Sequence, residues 1–325
     1  MIETWAPEIE SWFHRRTLGS PPLTNEALAE LKRRSGLSLT VCLPALDEAA
    51  TVGPICDAIR SELMQRAAIV DELLVIDSGS EDATAEVARA AGATVHRADA
   101  ISVGLPPDPS AKGKGEAMWK SLAVATGDLV MWVDADIRDF STHFITSLVY
   151  PLIADDSLVM TKAFYERPLE SSNGYVPQEG ARVTELTARP LIQMLYPRLS
   201  GFIQPLSGEI AARRAKLLEV PFVTGYGVDI ALLIDVVHRF GLDSIAQVDL
   251  GTRLHRNRDL FSLGRTAFQV TQAILLRLRD LNDVSLIDRV PTTMVQFLPD
   301  DPTEPQSSNL GVTVRPPMAG VLAQR

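Results

Sequence analysis

The segment Leu129-Val130-Met131-Trp132-Val133 is apolar for five residues and then breaks into Asp134-Ala135-Asp136. A buried strand ending in Asp-x-Asp delivers both acids to the carboxyl edge of a sheet, where open α/β sheets bind ligands. In extended chain, residues i and i+2 share a face, so the spacing predicts that Asp134 and Asp136 converge on one hard cation. Mg²⁺ or Mn²⁺, shared with substrate phosphates, suits such oxygen donors. Asp-x-Asp also occurs in ordinary loops, so the neighbouring motifs must decide.

Three further loops follow apolar runs in the same way. Pro44-Ala45-Leu46-Asp47-Glu48 reads equally as a ligand loop and as a turn into a helix. Asp77-Ser78-Gly79-Ser80 is either an N-cap with a tight turn or an acceptor for a base or ribose. Lys112-Gly113-Lys114-Gly115-Glu116-Ala117 places flexible backbone and two amines before a helix. Glycines there let the chain approach a phosphate, and the helix N-terminus adds free amides. No Ser or Thr follows the lysines and Met118 stands at the third glycine position, so it is neither a Walker A loop nor a dinucleotide fingerprint. A solvated basic loop is the alternative.

Farther on, Gly180-Ala181-Arg182-Val183-Thr184 starts a helix with glycine, arginine and a hydroxyl. That is a second anion pocket or an ordinary helix start with an exposed Arg. Gln204-Pro205-Leu206-Ser207-Gly208-Glu209 and Gly225-Tyr226-Gly227-Val228-Asp229 are polar, glycine-bearing turns. Arg253-Leu254-His255-Arg256-Asn257-Arg258 concentrates cationic groups after a strand. His255 could complete a cation site begun by Asp136, although a lone histidine is more often structural.

The elements that must hold these loops alternate. Runs at 39–43, 73–76, 93–96 and 129–133 read as strands, and Val52, Ile55, Cys56, Ile59 and Leu63 repeat at helical spacing. Helices are expected from about Asp82 to Ala91, stopping at Gly92, and from near Gly115. This βαβ rhythm predicts a mostly parallel sheet with helices on both faces. Beyond Asp136 the pattern predicts a strand at 159–162, a helix over 183–194 kinked at Pro190, a helix over 228–240, a strand over 245–250 and a long amphipathic helix over 260–281.

With 325 residues, 46% hydrophobic and 22% charged, the chain suits a soluble α/β protein of one large domain or two ordinary ones. A net charge of −10 argues against a general nucleic-acid binder. Anionic substrates would therefore need the local cationic loops. Cys42 and Cys56 are the only cysteines and read as core thiols. No signal peptide is apparent and no apolar run approaches the ~20 residues of a membrane span, so a cytoplasmic protein without membrane association is expected.

Taken in order, Leu-Pro-Ala-Leu-x-Glu, Asp-Ser-Gly-Ser, Gly-Lys-Gly-Glu-Ala and Asp-x-Asp resemble the nucleotide-sugar half of GT-A glycosyltransferases. Gly-x-Arg-Val-Thr-Glu-Leu, Gln-Pro-Leu-Ser-Gly-Glu, Gly-Tyr-Gly-Val-x-Ile and His-Arg-Asn-Arg narrow the resemblance to the glucosyl- and mannosyl-3-phosphoglycerate synthases, over residues 39–275. The resemblance implies a GT-A fold, a Rossmann-like, mostly parallel mixed sheet with flanking helices, plus a helical acceptor part. It implies retaining transfer of an α-hexosyl unit from a UDP- or GDP-hexose to the 2-hydroxyl of D-3-phosphoglycerate, with Mg²⁺ or Mn²⁺ and a homodimer.

In that reading Pro44, Ala45, Leu46, Glu48, Asp77 and Ser78 hold base and ribose, and Lys114, Asp134, Ala135 and Arg253 meet the rest of the donor. Asp136 and His255 take the metal, while Arg167, Ala181, Arg182, Val183, Thr184 and Asn257 grip the acceptor. Gly225, Tyr226 and Asp229 border sugar and acceptor; Asp136, Asp229 and Lys114 are the catalytic candidates. Ala135 and Asp229 stand where the relatives carry Ser and Glu, which leaves the donor's identity open. A sugar-1-phosphate nucleotidyltransferase and a non-catalytic nucleotide-sugar-binding protein are the competing readings. The expected division is a lead-in at 1–36 on the surface or against a partner, a donor half at 37–150, an acceptor half at 151–298 and a loosely ordered tail at 299–325.

Overall fold

A computed structural model describes residues 6–21, 23–103, 112–166, 169–171, 174–176, 181–253, 260–280, 293–298 and 301–309. The strands are β1 (Thr17–Leu18), β2 (Leu39–Ala45), β3 (Glu72–Asp77), β4 (Thr94–Arg97), β5 (Leu129–Trp132), β6 (Met160–Glu166), β7 (Leu169–Ser171), β8 (Gly174–Val176), β9 (Ile210–Arg213), β10 (Ile245–Thr252), β11 (Thr293–Leu298) and β12 (Asp301–Asn309). The helices are α1 (Pro7–Arg16), α2 (Asn25–Ser35), α3 (Val52–Ala58), α4 (Thr84–Ala90), α5 (Lys114–Val124), α6 (His143–Ala154), α7 (Arg189–Leu195), α8 (Arg214–Leu217), α9 (Val228–Phe240) and α10 (Leu260–Asp280).

Eight strands form one sheet in the order β1-β10-β6-β9-β5-β2-β3-β4, with only β9 antiparallel to its neighbours. From β2 the chain steps outward to β3 and β4, then returns to β5 on the other side of β2. The reversal opens a crevice at the carboxyl ends of β2 and β5, the usual ligand position in such sheets. Side-chain alternation divides the core between the two faces. Leu39, Val41 and Leu43 join Leu129, Met131 and α6 residues on one, while Cys42, Val130 and Trp132 join α5 and α9 on the other.

One sheet therefore runs through both expected halves, because β9 joins β6 to β5. The lead-in is also part of the core rather than a surface appendage. Trp12 is fully buried, stacks against Phe202 at 4.5 Å and donates from Nε1 to the Ile245 carbonyl at 2.9 Å. Thr17 and Leu18 extend the sheet beside Gln247 and Val248. Short polar runs hid this, since three large residues on one face of α1, Ile9, Trp12 and Phe13, carry the packing. Trp12→Ala is accordingly expected to cost about 3–5 kcal/mol, read as a lower denaturant midpoint. A midpoint within error of the parent would return the segment to the surface.

The expected kink at Pro190 takes a specific form. Thr184–Ala188 is a π-helical stretch, and Pro190 sits in the first turn of α7. The wider turn relieves the clash of the proline ring with the preceding helix. Part of the expected loose tail is ordered: β12 pairs antiparallel with β11. Its Pro302 and Pro305 fall where the register shifts between Gln296 and Leu298, a place where a sheet tolerates the missing donor. No described helix is long and apolar enough to cross a membrane.

Candidate active site

The crevice holds a cleft of about 220 Å³ lined by residues from many separate segments. Pro44, Ala45, Leu46 and Glu48 come from the end of β2, Ser78 from β3, and Gly113 and Lys114 from the start of α5. Asp134, Ala135 and Asp136 follow β5, Ala181 to Thr184 precede α7, and Arg253 follows β10. Tyr226 enters from the 3-10 turn Gly225–Gly227 and Asp229 from the first turn of α9 that follows it. Sequence-distant motifs thus share one cavity.

Asp134 and Asp136 converge for a different reason than extended spacing. Pairing of β5 with β2 ends at Trp132, and Ala135 and Asp136 lie in a turn beyond it. Arg253 lies beside both carboxylates, its Nη2 3.4 Å from Asp134 Oδ2 and 3.4 Å from Asp136 Oδ1. Both carboxylates stay about a quarter exposed, at 25% and 26%. Oxygen donors open to solvent fit Mg²⁺ or Mn²⁺, which fills its remaining positions with water and substrate phosphate. Among the described residues no group of three or more ligating side chains forms.

Lys114 bridges Asp134 Oδ1 at 2.8 Å and Asp229 Oδ2 at 3.2 Å. Burial opposes its charge, but Asp134, Asp229 and Glu209 outweigh it and hold the amine above its ordinary range. Burial raises the Asp229 carboxyl, against the pull of Lys114 and Lys162. Asp229 Oδ1 finds no hydrogen-bond partner among the described residues. The aspartate reaches the lysine even though it stands where a longer glutamate was the expectation.

The glycines of the Lys114 loop serve packing first. A Cβ on Gly115 would sit 2.0 Å from the Val223 carbonyl oxygen, and Gly225 donates its amide to the Lys112 carbonyl at 3.0 Å. Close approach here is to the Val223–Gly225 backbone, which draws Lys114 toward Asp229. Gly208 has a similar part, since a Cβ there would fall 2.5 Å from Asp134 Oδ2.

Two expected residues do not line the cleft. Asp77 is buried and turns back to accept from the amides of Gly79 at 3.3 Å and Ser80 at 2.9 Å. Such a self-capping turn is a standard use of Asp before Ser-Gly, and it presents Ser78 in place of Asp77. Gly225 lies behind Tyr226, where Gln269 Oε1 accepts the Tyr226 amide at 2.7 Å. Arg167, Gly180, His255 and Asn257 lie outside the described residues.

Other residues emerge only in three dimensions. Glu209 and Lys162 are buried beneath the cleft, and Lys162 Nζ donates to the Ser207 carbonyl at 2.7 Å. Burial pulls the Lys162 amine down to about 8, with Asp229 opposing and Lys114 adding to the fall. A lysine within the apolar run at 159–165 was the available signal, since buried lysines are rare unless paired. Leu263, Thr266 and Val270 of α10 close the far wall, and nothing in their amphipathic pattern marks them out.

The Glycosyl transferase family 2 profile matches residues 40–219. A glucosyl-3-phosphoglycerate synthase of Petrotoga mobilis is 44% identical over 259 residues, covering 80% of this chain and 79% of that protein. The chain belongs to the glucosyl-/mannosyl-3-phosphoglycerate synthase family. It is a glycosyltransferase of GT-A-like fold. The crystal structure of mannosyl-3-phosphoglycerate synthase from Rubrobacter xylanophilus superposes with a TM-score of 0.76 at 37% identity, covering 98% of this chain and 99% of that one. Glucosyl-3-phosphoglycerate synthase from Mycobacterium tuberculosis, crystallised with Mn²⁺, UDP-glucose and phosphoglyceric acid, gives 0.72 at 39% identity, covering 94% and 98%. Solved members of this synthase family thus include a mannosyl- and a glucosyl-3-phosphoglycerate synthase.

Proposed function

We propose that this glycosyltransferase moves an α-hexosyl unit, with retention, from an NDP-sugar to the 2-hydroxyl of D-3-phosphoglycerate. One observation carries the reading: the Asp134–Asp136 pair, Lys114 and the Arg182–Thr184 helix start line a single cleft. A donor diphosphate and an acceptor phosphate can then be held in one cavity with the sugar between them. The Mycobacterium tuberculosis relative crystallised with UDP-glucose supports that donor as the first to try, and the glucosyl-transferring Petrotoga mobilis relative supports the same sugar; the Rubrobacter xylanophilus relative supports mannose as the alternative, and GDP is the second nucleotide.

Asp136 would hold a divalent cation, with Asp134 beside it and His255 as a further ligand carried by the sequence. When bound, the ion supplies Lewis-acid neutralisation of the departing diphosphate. The chain's own groups do the rest. Lys114 and Arg253 place positive charge where the donor's charge develops. Pro44, Leu46, Glu48 and Ser78 border the nucleoside end. Asp229, pinned by Lys114, faces the transferred sugar, and the acceptor's proton passes to the departing phosphate oxygen on the same face. Arg182 and Thr184, helped by Arg167 and Asn257, would bind the acceptor phosphate. Exposed Phe268, Leu275 and Leu276 along α10 support a homodimer, and two free buried thiols suit a reducing, cytoplasmic setting.

The deciding experiment incubates the protein with Mg²⁺, 3-phosphoglycerate and each of UDP-glucose, GDP-glucose, UDP-mannose and GDP-mannose. Mass and anomeric NMR should show an α-hexosyl phosphoglycerate and released NDP. A glycosyl–Asp229 adduct would replace the same-face route by double displacement. Binding without any product would end the catalytic reading. Arg182→Ala should raise the acceptor KM by the loss of a charge-assisted contact, about 1.5–3 kcal/mol, while the donor KM stays within about twofold. An unmoved acceptor KM would take the phosphate out of that pocket.

A further inference from the structure

Arg253 is sealed from solvent, 1% exposed, and its two ends are held unequally. Nη1 lies 2.6 Å from Glu209 Oε1 and donates to the Tyr165 hydroxyl at 2.7 Å. That hydroxyl donates to Glu209 Oε2 at 2.9 Å, and the guanidinium carbon rests 5.2 Å from the Tyr165 ring centre. Nη2 meets Asp134 and Asp136 only at 3.4 Å. The tight contact is thus on the Glu209 side and the loose one on the side of the carboxylate pair. Glu209 itself is 0% exposed; burial raises its carboxyl, and Arg253 is the largest influence favouring its charge, with Lys114 and the Tyr165 hydroxyl adding to it.

We propose that Glu209 is a positioning residue that holds Arg253 off the Asp134–Asp136 pair and so keeps those oxygens available to a divalent cation. The inference rests on the metal reading given above. A guanidinium sealed from water must have a counter-charge. Without Glu209, Asp134 and Asp136 are the carboxylates left within reach among the described residues. Arg253 would then close on them, and a cation arriving at Asp136 would have to displace a buried arginine. Tyr165 acts in the same direction, because its hydroxyl ties the two partners together and its ring blocks one face of the guanidinium.

The test is Mn²⁺ binding by the substrate-free protein, followed by loss of the free-ion EPR signal. Glu209→Gln preserves shape and removes the charge, and is expected to weaken Mn²⁺ about ten- to a hundredfold. Tyr165→Phe should weaken it in the same direction by less. The discriminating variant is Glu209→Gln with Arg253→Gln, which removes the competing cation as well and should bind Mn²⁺ more tightly than Glu209→Gln alone. A merely structural role predicts no such recovery. Unchanged Mn²⁺ affinity in Glu209→Gln, or a double variant no better than the single one, overturns the inference while leaving the metal site standing. A parent protein that takes up no Mn²⁺ removes the metal reading and this inference together. Should Glu209→Gln fail to fold, a double variant weaker than Arg253→Gln alone overturns the inference, and one of equal affinity supports it.

Discussion

Lys114→Met should damage activity and stability together, lowering turnover about 10²–10³-fold and stability by about 3–5 kcal/mol. The side chain keeps its length and loses its charge. Asp134, at 2.8 Å, and Asp229, at 3.2 Å, both lose their closest cation. Asp229 is the more exposed to this loss, since its side chain is only 8% accessible. Burial already lifts its carboxyl above the ordinary 3.8, and Lys114 is the largest influence opposing that rise. Without the lysine the folded-state value climbs further. Between the unfolded value and the raised folded one, the native state binds more protons than the unfolded chain. Stability of the variant therefore falls as pH climbs through that interval, and its defect is largest above it and smallest below. Denaturant midpoints of parent and variant at several pH values measure this. A stability difference that does not shrink on acidification would place the buried charge elsewhere.

Asp136→Asn should abolish measurable metal-dependent transfer with little change in stability. The side chain is a quarter exposed, and among the described residues its ionic contact is with Arg253, long at 3.4 Å. The buried Arg253 keeps Glu209 at 2.6 Å as its close counter-charge, so losing the long contact to a part-exposed carboxylate is expected to cost about 0–1 kcal/mol. Its value to the reaction is larger, because a neutral amide is a poor ligand for a hard dication. Losing the ion forfeits several kcal/mol of charge neutralisation on the departing diphosphate, about 10³-fold or more in kcat/KM. The pair of readings matters more than either alone. An unfolded Asp136→Asn would make the residue structural, and an active one, insensitive to a chelator, would remove the cation from the reaction.

The loops that line the cleft were legible because each follows a run whose periodicity marks a strand. Pro44, Ser78, Asp134 and Arg253 stand at or beyond strand ends, and a parallel sheet gathers strand ends at one edge whatever the detailed packing. Gly180 to Thr184 was legible for a related reason, as glycine and a hydroxyl beside an amphipathic run mark a helix start. Glu209 was quoted as part of a motif but carried no assigned part. Its neighbours Ser207 and Gly208 look like turn residues, and no pattern in sequence says that the strand after them lies antiparallel between β5 and β6.

By itself the sequence determined the order of elements from β2 to β5, the mostly parallel sheet and the set of loops at its carboxyl edge. Those follow from local periodicity and from the geometry common to βαβ units. Tertiary structure alone decided which groups touch. It turned Asp77 inward onto its own loop, made Gly115 a point of backbone contact, seated Trp12 in the core and set Glu209 opposite Arg253. Charges and glycines acquire their roles from neighbours brought by distant strands, and their own flanking residues carry no record of that approach.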